Sequence, residues 1–165
     1  MNAGAHRQDF SQNVRSIELV DSDCNVRTLS ADQISWSYRS SGIDQVVVTA
    51  VTFGFEPADP QVLERDIQRH LEWRRKGTPF DEPCCGSVFK NPERRQRYSA
   101  GQLIDGAGLK GYQVGAAQVS HLHANYIVNR GGATASDVKA VIEVVRETVL
   151  AEFEIELQLE VRIVE

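Results

Sequence analysis

Cysteine is scarce in this chain: there are three, Cys24, Cys84 and Cys85. An odd number with two adjacent builds neither a disulfide framework nor a CxxC metal knuckle, and it fits a reducing cytoplasm. Long apolar runs are missing too. No stretch of about 18 apolar residues is available to span a bilayer, and the start of the chain lacks a basic segment followed by an apolar core, so neither a membrane segment nor an export leader is expected. There is no excess of positive charge. The formal net charge is -5, which argues against a nucleic-acid partner held by a basic field. Internal repeats and low-complexity tracts are also absent.

What remains is an ordinary globular composition, 41% hydrophobic and 25% charged over 165 residues. A compact chain of this length buries roughly 70% of its unfolded surface, enough for one large domain or two small ones. Two short basic clusters, Arg74-Arg75-Lys76 and Arg94-Arg95 with Arg97, read as solvated faces, although a diphosphate substrate requires groups of this kind.

Along the chain, Val14–Val20 and Val26–Leu29 flank the turn-rich Asp21-Ser22-Asp23-Cys24-Asn25 and predict a β-hairpin. Ser30 is placed to cap a short helical turn through Gln33, and Gln45–Phe55, rich in Val, Thr and Phe, predicts a long strand. From Asp59 the apolar period changes to 3.6: Asp59 suits an N-cap, Pro60 the first helical residue, and Leu63, Ile67, His70, Leu71 and Arg74 share one side before Gly77. A boundary between two units is therefore expected near residue 58.

Gly77–Asn91, with Thr78, Pro79, Pro83 and Gly86, predicts a long irregular loop, a type of segment that often carries function. A short helix over Ser99–Ala107 closed by Gly108 follows, then paired short strands in Gly111–Val119 and Ala124–Val128. Thr134–Asp137 has the form of a capping box for a helix with the stripe Val138, Val141, Ile142, Val145 and Val149. A last strand is expected in which Leu157, Leu159, Val161 and Ile163 face a core, leaving Gln158, Glu160 and Arg162 on the other side.

Chemistry gathers at Cys84-Cys85-Gly86-Ser87-Val88-Phe89-Lys90-Asn91-Pro92. Ser87 is a hydroxyl held between a glycine and an apolar residue, with the Lys90 cation and the Asn91 carboxamide close by, as an anionic substrate beside a proton donor requires. The plainer reading is a turn serine satisfying a neighbouring backbone group. Arg39, after Tyr38, is able to clamp a carboxylate through two parallel hydrogen bonds, against an ordinary surface arginine. Glu160 defaults to solvent or to a pair with Arg162. His121 and His123, two apart on an expected strand, share a face on which a metal could be held, but a third ligand is missing. Gly106-Ala107-Gly108 and Gly131-Gly132 do not sit in the strand–glycine–helix pattern of a phosphate loop.

The serine loop, Tyr38-Arg39 and Leu157–Arg162 together resemble UDP-N-acetylenolpyruvoylglucosamine reductase, the flavoenzyme family that makes UDP-N-acetylmuramate for peptidoglycan, and so serves cell-wall growth, cell shape and division. Ala100–Asp105, Ala107–Gly111, Ala117–Ser120 and His123–Asn129 follow in the family's order, so the resemblance runs along essentially the whole chain, in the form without the inserted loop of the substrate domain. It implies an α+β fold, with residues 1–58 as the second lobe of a two-lobed FAD-binding domain and 59–165 as the substrate-binding domain. The family's first flavin lobe, with its glycine-rich loop, precedes the segment at which this chain starts. An N-terminal truncation is therefore expected, by a late start or by gene decay.

The resemblance implies a cytoplasmic, monomeric oxidoreductase that uses NADPH and FAD to reduce UDP-N-acetylglucosamine enolpyruvate. Ser87 would be the proton donor, with Arg39 and Glu160 stabilising charge on the substrate carboxyl. Tyr38, Lys90, Asn91 and His123 would contact the UDP-sugar, and Asn2, Ala3, Gly4, Ala5 and His6 the cofactor. No metal is implied. Three departures stand out: Arg7 where the family has Gly, a missing Gln between Thr78 and Pro79, and Leu159 in place of Pro. The alternative expectation is a non-catalytic remnant that at most binds a UDP-sugar.

Overall fold

The computed structural model describes residues 2–6, 8–92 and 97–164. Arg7, Arg94 and Arg95 lie outside the described residues, as does Met1. The chain divides into two compact units, Met1–Pro60 and Gln61–Glu165. Both combine short antiparallel strands with helical segments, an α+β architecture.

In the first unit, a two-stranded ribbon of β1 (Gly4–Ala5) and β2 (Gln8–Asp9) precedes an antiparallel sheet. The sheet holds β3 (Val14–Val20), β4 (Val26–Ser30) and β5 (Val47–Phe53) in the order β4-β3-β5. The expected hairpin forms because Asp21 Oδ1 accepts from the N–H groups of Asp23 and Asn25, while Cys24 takes a left-handed backbone. On β3 the buried residues are Val14, Ile17 and Leu19, a spacing of three and then two. Strict alternation forbids the first interval. A bulge supplies the extra residue: Val14 pairs with Phe53 but Ser16 with Thr52. Val14, Ile17 and Ile34 form a small core, with Leu29, Trp36 and Val51 packed on it.

The expected turn after Ser30 is a 3-10 helix over Ala31–Gln33, with Ser30 N–H donating to Gln33 Oε1 at 2.9 Å. The strand expected over Gln45–Phe55 is shorter, because Gln45 has φ +55°, which extended pairing does not accommodate.

In the second unit, the sheet runs β6-β9-β8-β7 with all neighbours antiparallel. Its strands are β6 (Cys84–Ser87), β7 (Gln113–Val114), β8 (Ala117–Val119) and β9 (Tyr126–Asn129). The helix α1 (Pro60–Gly77) starts and stops where the proline and glycine predict, yet buries none of its residues; Leu63, Ile67 and Leu71 all remain exposed. By contrast α2 (Ala100–Gly106) and α3 (Ala135–Phe153) close one core. Ser99 and Thr134 cap them, each accepting from the N–H three residues on, as the sequence pattern requires. The α3 stripe is the predicted one, with Val141, Ile142, Val145 and Val149 buried against Val88, Phe89, Leu103, Ile104 and Val119.

Three expectations are corrected. The loop Gly77–Asn91 contains the strand β6, made possible by Gly86 at φ +85°, which takes up the bulge between Cys84 and Ser87. The final strand is not a regular element: Leu157 is buried, but pairing narrows to one bridge between Phe89 and Leu159, and Ile163 is exposed. Finally, His121-Leu122-His123 lies in bends between β8 and β9 rather than on a strand, so the shared-face argument for a metal does not apply.

Candidate functional site

In the first unit, the segment expected to meet a cofactor and the Tyr38-Arg39 pair are joined directly. Ser37 and Ser40 exchange backbone hydrogen bonds of 3.0 and 3.1 Å, leaving Tyr38 and Arg39 as the two residues at the tip of a tight turn. Arg39 sits at φ +55°, the left-handed position of that turn. Its Nη2 donates to the Gly4 carbonyl at 3.0 Å, and its guanidinium carbon lies 4.9 Å from the Tyr38 ring centroid.

Asn2 fixes the same segment from the other side. It is buried, its Nδ2 donates to the Ser37 carbonyl at 3.1 Å, and its Oδ1 accepts from Ser11 N–H at 3.0 Å. Asn2 and His6 both have positive φ, so the small residues Ala3, Gly4 and Ala5 are bracketed by left-handed turns. Such conformations persist only where the surroundings over-determine them. Gly4 has no room for a side chain, since a Cβ there would lie 2.8 Å from the Gln8 carbonyl oxygen.

In the second unit, Ser87 ends β6 opposite Tyr126 and is half-buried. The Val88 carbonyl next to it accepts from Glu160 N–H at 2.8 Å, and Lys90 N–H donates to the Gln158 carbonyl at 2.8 Å. Ser87, Lys90 and Glu160 therefore come together through adjacent peptides of two crossing segments. Asn91 has a structural task as well, with Oδ1 accepting from Ala100 N–H at 3.0 Å at the start of α2.

His123 Nδ1 accepts from Asn125 N–H at 3.1 Å, and its ring meets Tyr126 edge-on with centroids 4.8 Å apart. Burial holds the His123 imidazole below its ordinary pKa, and the Lys110 charge pushes the same way, so the ring is neutral with Nδ1 as acceptor. Cys84 and Cys85 are exposed residues, but partial burial of the Cys85 sulfur raises that thiol. A thiol shifted in this direction is a poor nucleophile.

Sequence reasoning passed over Asn125, a buried residue that was noted only as part of a motif. Its Oδ1 accepts from Phe89 N–H at 2.9 Å and its Nδ2 donates to the Phe89 carbonyl at 2.8 Å. The signal was available: a carboxamide inside the apolar run Ala124–Val128 has to find partners. A separate cleft of about 630 Å³, lined by Leu71, Arg75, Thr78, Pro79, Phe80 and Leu122 among others, includes none of the expected site residues. Among the described residues no group of three His, Cys, Asp or Glu is positioned for a metal, and no helix is long and apolar enough to cross a membrane.

Comparison with known proteins identifies the family. Residues 78–164 match the family model described as UDP-N-acetylenolpyruvoylglucosamine reductase, C-terminal domain. A protein of that name from Heliobacterium modesticaldum is 45% identical over 99% of this chain and 52% of its own length. Another, from a Nostoc species, is 42% identical over 98% of this chain and 49% of its own. The crystal structure of UDP-N-acetylenolpyruvylglucosamine reductase from Thermus caldophilus aligns with a TM-score of 0.85 at 31% identity, covering 98% of this chain and 57% of that one. The chain thus spans about half the length of the curated relatives it matches. With a family model that matches more than half of its residues, the chain belongs to the UDP-N-acetylenolpyruvoylglucosamine reductase family.

Proposed function

We propose that this chain works in the NADPH-dependent, FAD-mediated reduction of UDP-N-acetylglucosamine enolpyruvate to UDP-N-acetylmuramate, a cytoplasmic step that supplies peptidoglycan precursor. The observation that supports the reading is the bond of 2.8 Å from Glu160 N–H to the Val88 carbonyl, which sets the backbone of Glu160 beside the residue that follows Ser87. An enol ether is reduced by a hydride at one carbon and a proton at the carbon next to the carboxylate. FAD, when bound, supplies the hydride after taking it from NADPH.

The protein's part is one proton and the charge around it. Ser87 Oγ donates the proton, and a serine does so well only where the charge left behind is shared with neighbours. Arg39 and Glu160 act on the substrate carboxyl, where enolate-like charge builds. Tyr38, Lys90, Asn91 and His123 contact the UDP-sugar, with Lys90 offering a cation to the diphosphate and neutral His123 a ring face.

The residues present suit a flavin in chemistry. Ala3, Gly4 and Ala5 carry nothing larger than a methyl, as close approach to a planar ring requires, and Asn2 and Arg39 hold their backbone rigidly. Asn2–His6 would form that wall.

The test is the visible spectrum of the purified protein after addition of FAD. A bound-flavin spectrum that bleaches with NADPH and recovers on addition of the enolpyruvyl sugar supports the reading. A protein that retains the UDP-sugar but stays colourless contradicts catalysis by this chain and leaves binding of the nucleotide sugar as its function.

A further inference from the structure

Phe89 crosses the second unit at a point where, among the described residues, no strand lies beside it on one side. In an antiparallel bridge, the N–H and C=O groups of successive residues point alternately to the two sides. Here the Val88 carbonyl and Lys90 N–H face the chain's last segment, bonding Glu160 N–H and the Gln158 carbonyl, each at 2.8 Å. The two polar groups of Phe89 consequently point the other way. There β6 has already ended at Ser87 and β9 does not begin until Tyr126. Phe89 is 2% exposed, so water does not satisfy them.

The Asn125 carboxamide takes the place of the missing strand, accepting from Phe89 N–H and donating to the Phe89 carbonyl. Its own backbone carbonyl accepts from Val88 N–H at 2.9 Å. Asn125 is itself 5% exposed and is held from behind by His123 Nδ1.

We infer that Asn125 is a positioning residue for the reaction, clamping Val88 and Phe89 so that the Ser87 hydroxyl and Glu160 keep a fixed separation. The inference rests on the proposed roles of Ser87 and Glu160. Every link in it is short: the Asn125 carboxamide bonds the N–H and the C=O of Phe89, its backbone carbonyl bonds Val88 N–H, Ser87 is bonded to Val88 in the chain, and Glu160 N–H bonds the Val88 carbonyl. A side chain with one rigid amide plane bonds the two peptide units that flank the Phe89 Cα and so fixes them relative to one another, which two separate waters would not do.

Two readouts on Asn125→Ala and Asn125→Asp test this. In the FAD-loaded protein, flavin reduction by NADPH should stay within about 2-fold of wild type, while reoxidation by the enolpyruvyl sugar slows about 100-fold in Asn125→Ala, the scale on which misplacement by about 1 Å acts. Asn125→Asp keeps an acceptor for Phe89 N–H and should lose less. In amide exchange, Glu160 N–H should lose protection together with Phe89 while the α3 amides keep theirs. A merely structural role would slow both half-reactions and expose α3 as well.

Reoxidation at the wild-type rate, or an unchanged Glu160 amide, overturns the inference. Ser87→Ala measured alongside separates the two ideas. If Ser87→Ala abolishes reoxidation and Asn125→Ala does not, the clamp fails alone; if Ser87→Ala changes nothing, the assignment of the proton donor fails and the clamp's catalytic role fails with it.

Discussion

Val88 has no functional group, yet its backbone ties separate segments of the second unit together: the N–H donates to the Asn125 carbonyl and the carbonyl accepts from Glu160 and Val161. Order at the residue scale comes from such backbone contacts as much as from side chains. The same holds for His123, whose Nδ1 bonds a backbone N–H and whose imidazole burial keeps neutral. Because its folded pKa lies below the ordinary value, the unfolded chain takes up this proton first. The associated stability is complete above the unfolded pKa and fades as pH falls through it toward the folded one. Melting of the wild type should therefore drop more steeply between about pH 8 and pH 5 than melting of His123→Gln. Parallel profiles for the two proteins would show that His123 is not held neutral.

At the scale of elements, helix starts and stops were readable because each rests on local chemistry. Asp59-Pro60 and Gly77 bound α1, and Thr134 with Asp137 caps α3. The α3 stripe was readable for a related reason, since five apolar residues at helical spacing have one face to bury. The last segment was misread because its alternation is compatible with a strand, but a strand also needs a neighbour. Among the described residues its neighbour is the short stretch Val88–Lys90, with one bridge between Phe89 and Leu159, so the pattern Leu157, Leu159, Val161, Ile163 fades from buried to exposed. Strand β6 was missed for the opposite reason: Cys-Cys-Gly-Ser has little strand character, and its pairing with β9 comes from tertiary packing.

Leu157, 1% exposed, is the anchor of the last segment. Leu157→Ala should cost about 3 kcal/mol by the transfer and cavity terms for a buried leucine, and should free the Glu160 amide to exchange. Urea unfolding measures the first and exchange the second. A loss below about 1 kcal/mol would mean that the segment is held by its bridge rather than by its core contact.

At the scale of the whole molecule, the two units differ in what they bury. The second has a continuous core from Val88 to Leu157, whereas the first buries only Asn2, Val14, Ile17, Leu19 and Ile34 among the described residues. Its strand β5 leaves Val47 and Val48 exposed at 65% and 48%. Small units with so little burial are marginal. Amides of β5 should exchange at least about 10-fold faster than those of Val141–Val149 in α3, as native-state exchange would record. Equal protection would mean that the first unit has more stabilisation than its own burial provides. Of the candidate site, the sequence pointed to Ser87, Arg39 and Glu160 through motifs, while the peptide that couples two of them depended on contacts between segments far apart in the chain.

Stopped-flow absorbance of the flavin in Ser87→Ala tests the proposed delivery of a proton from Ser87 to the enol ether. With Ser87 as the proton donor, NADPH still bleaches the flavin at the wild-type rate, while its recovery on mixing with UDP-N-acetylglucosamine enolpyruvate slows by about 100-fold or more, the scale of a lost general acid. Recovery at the wild-type rate would contradict it.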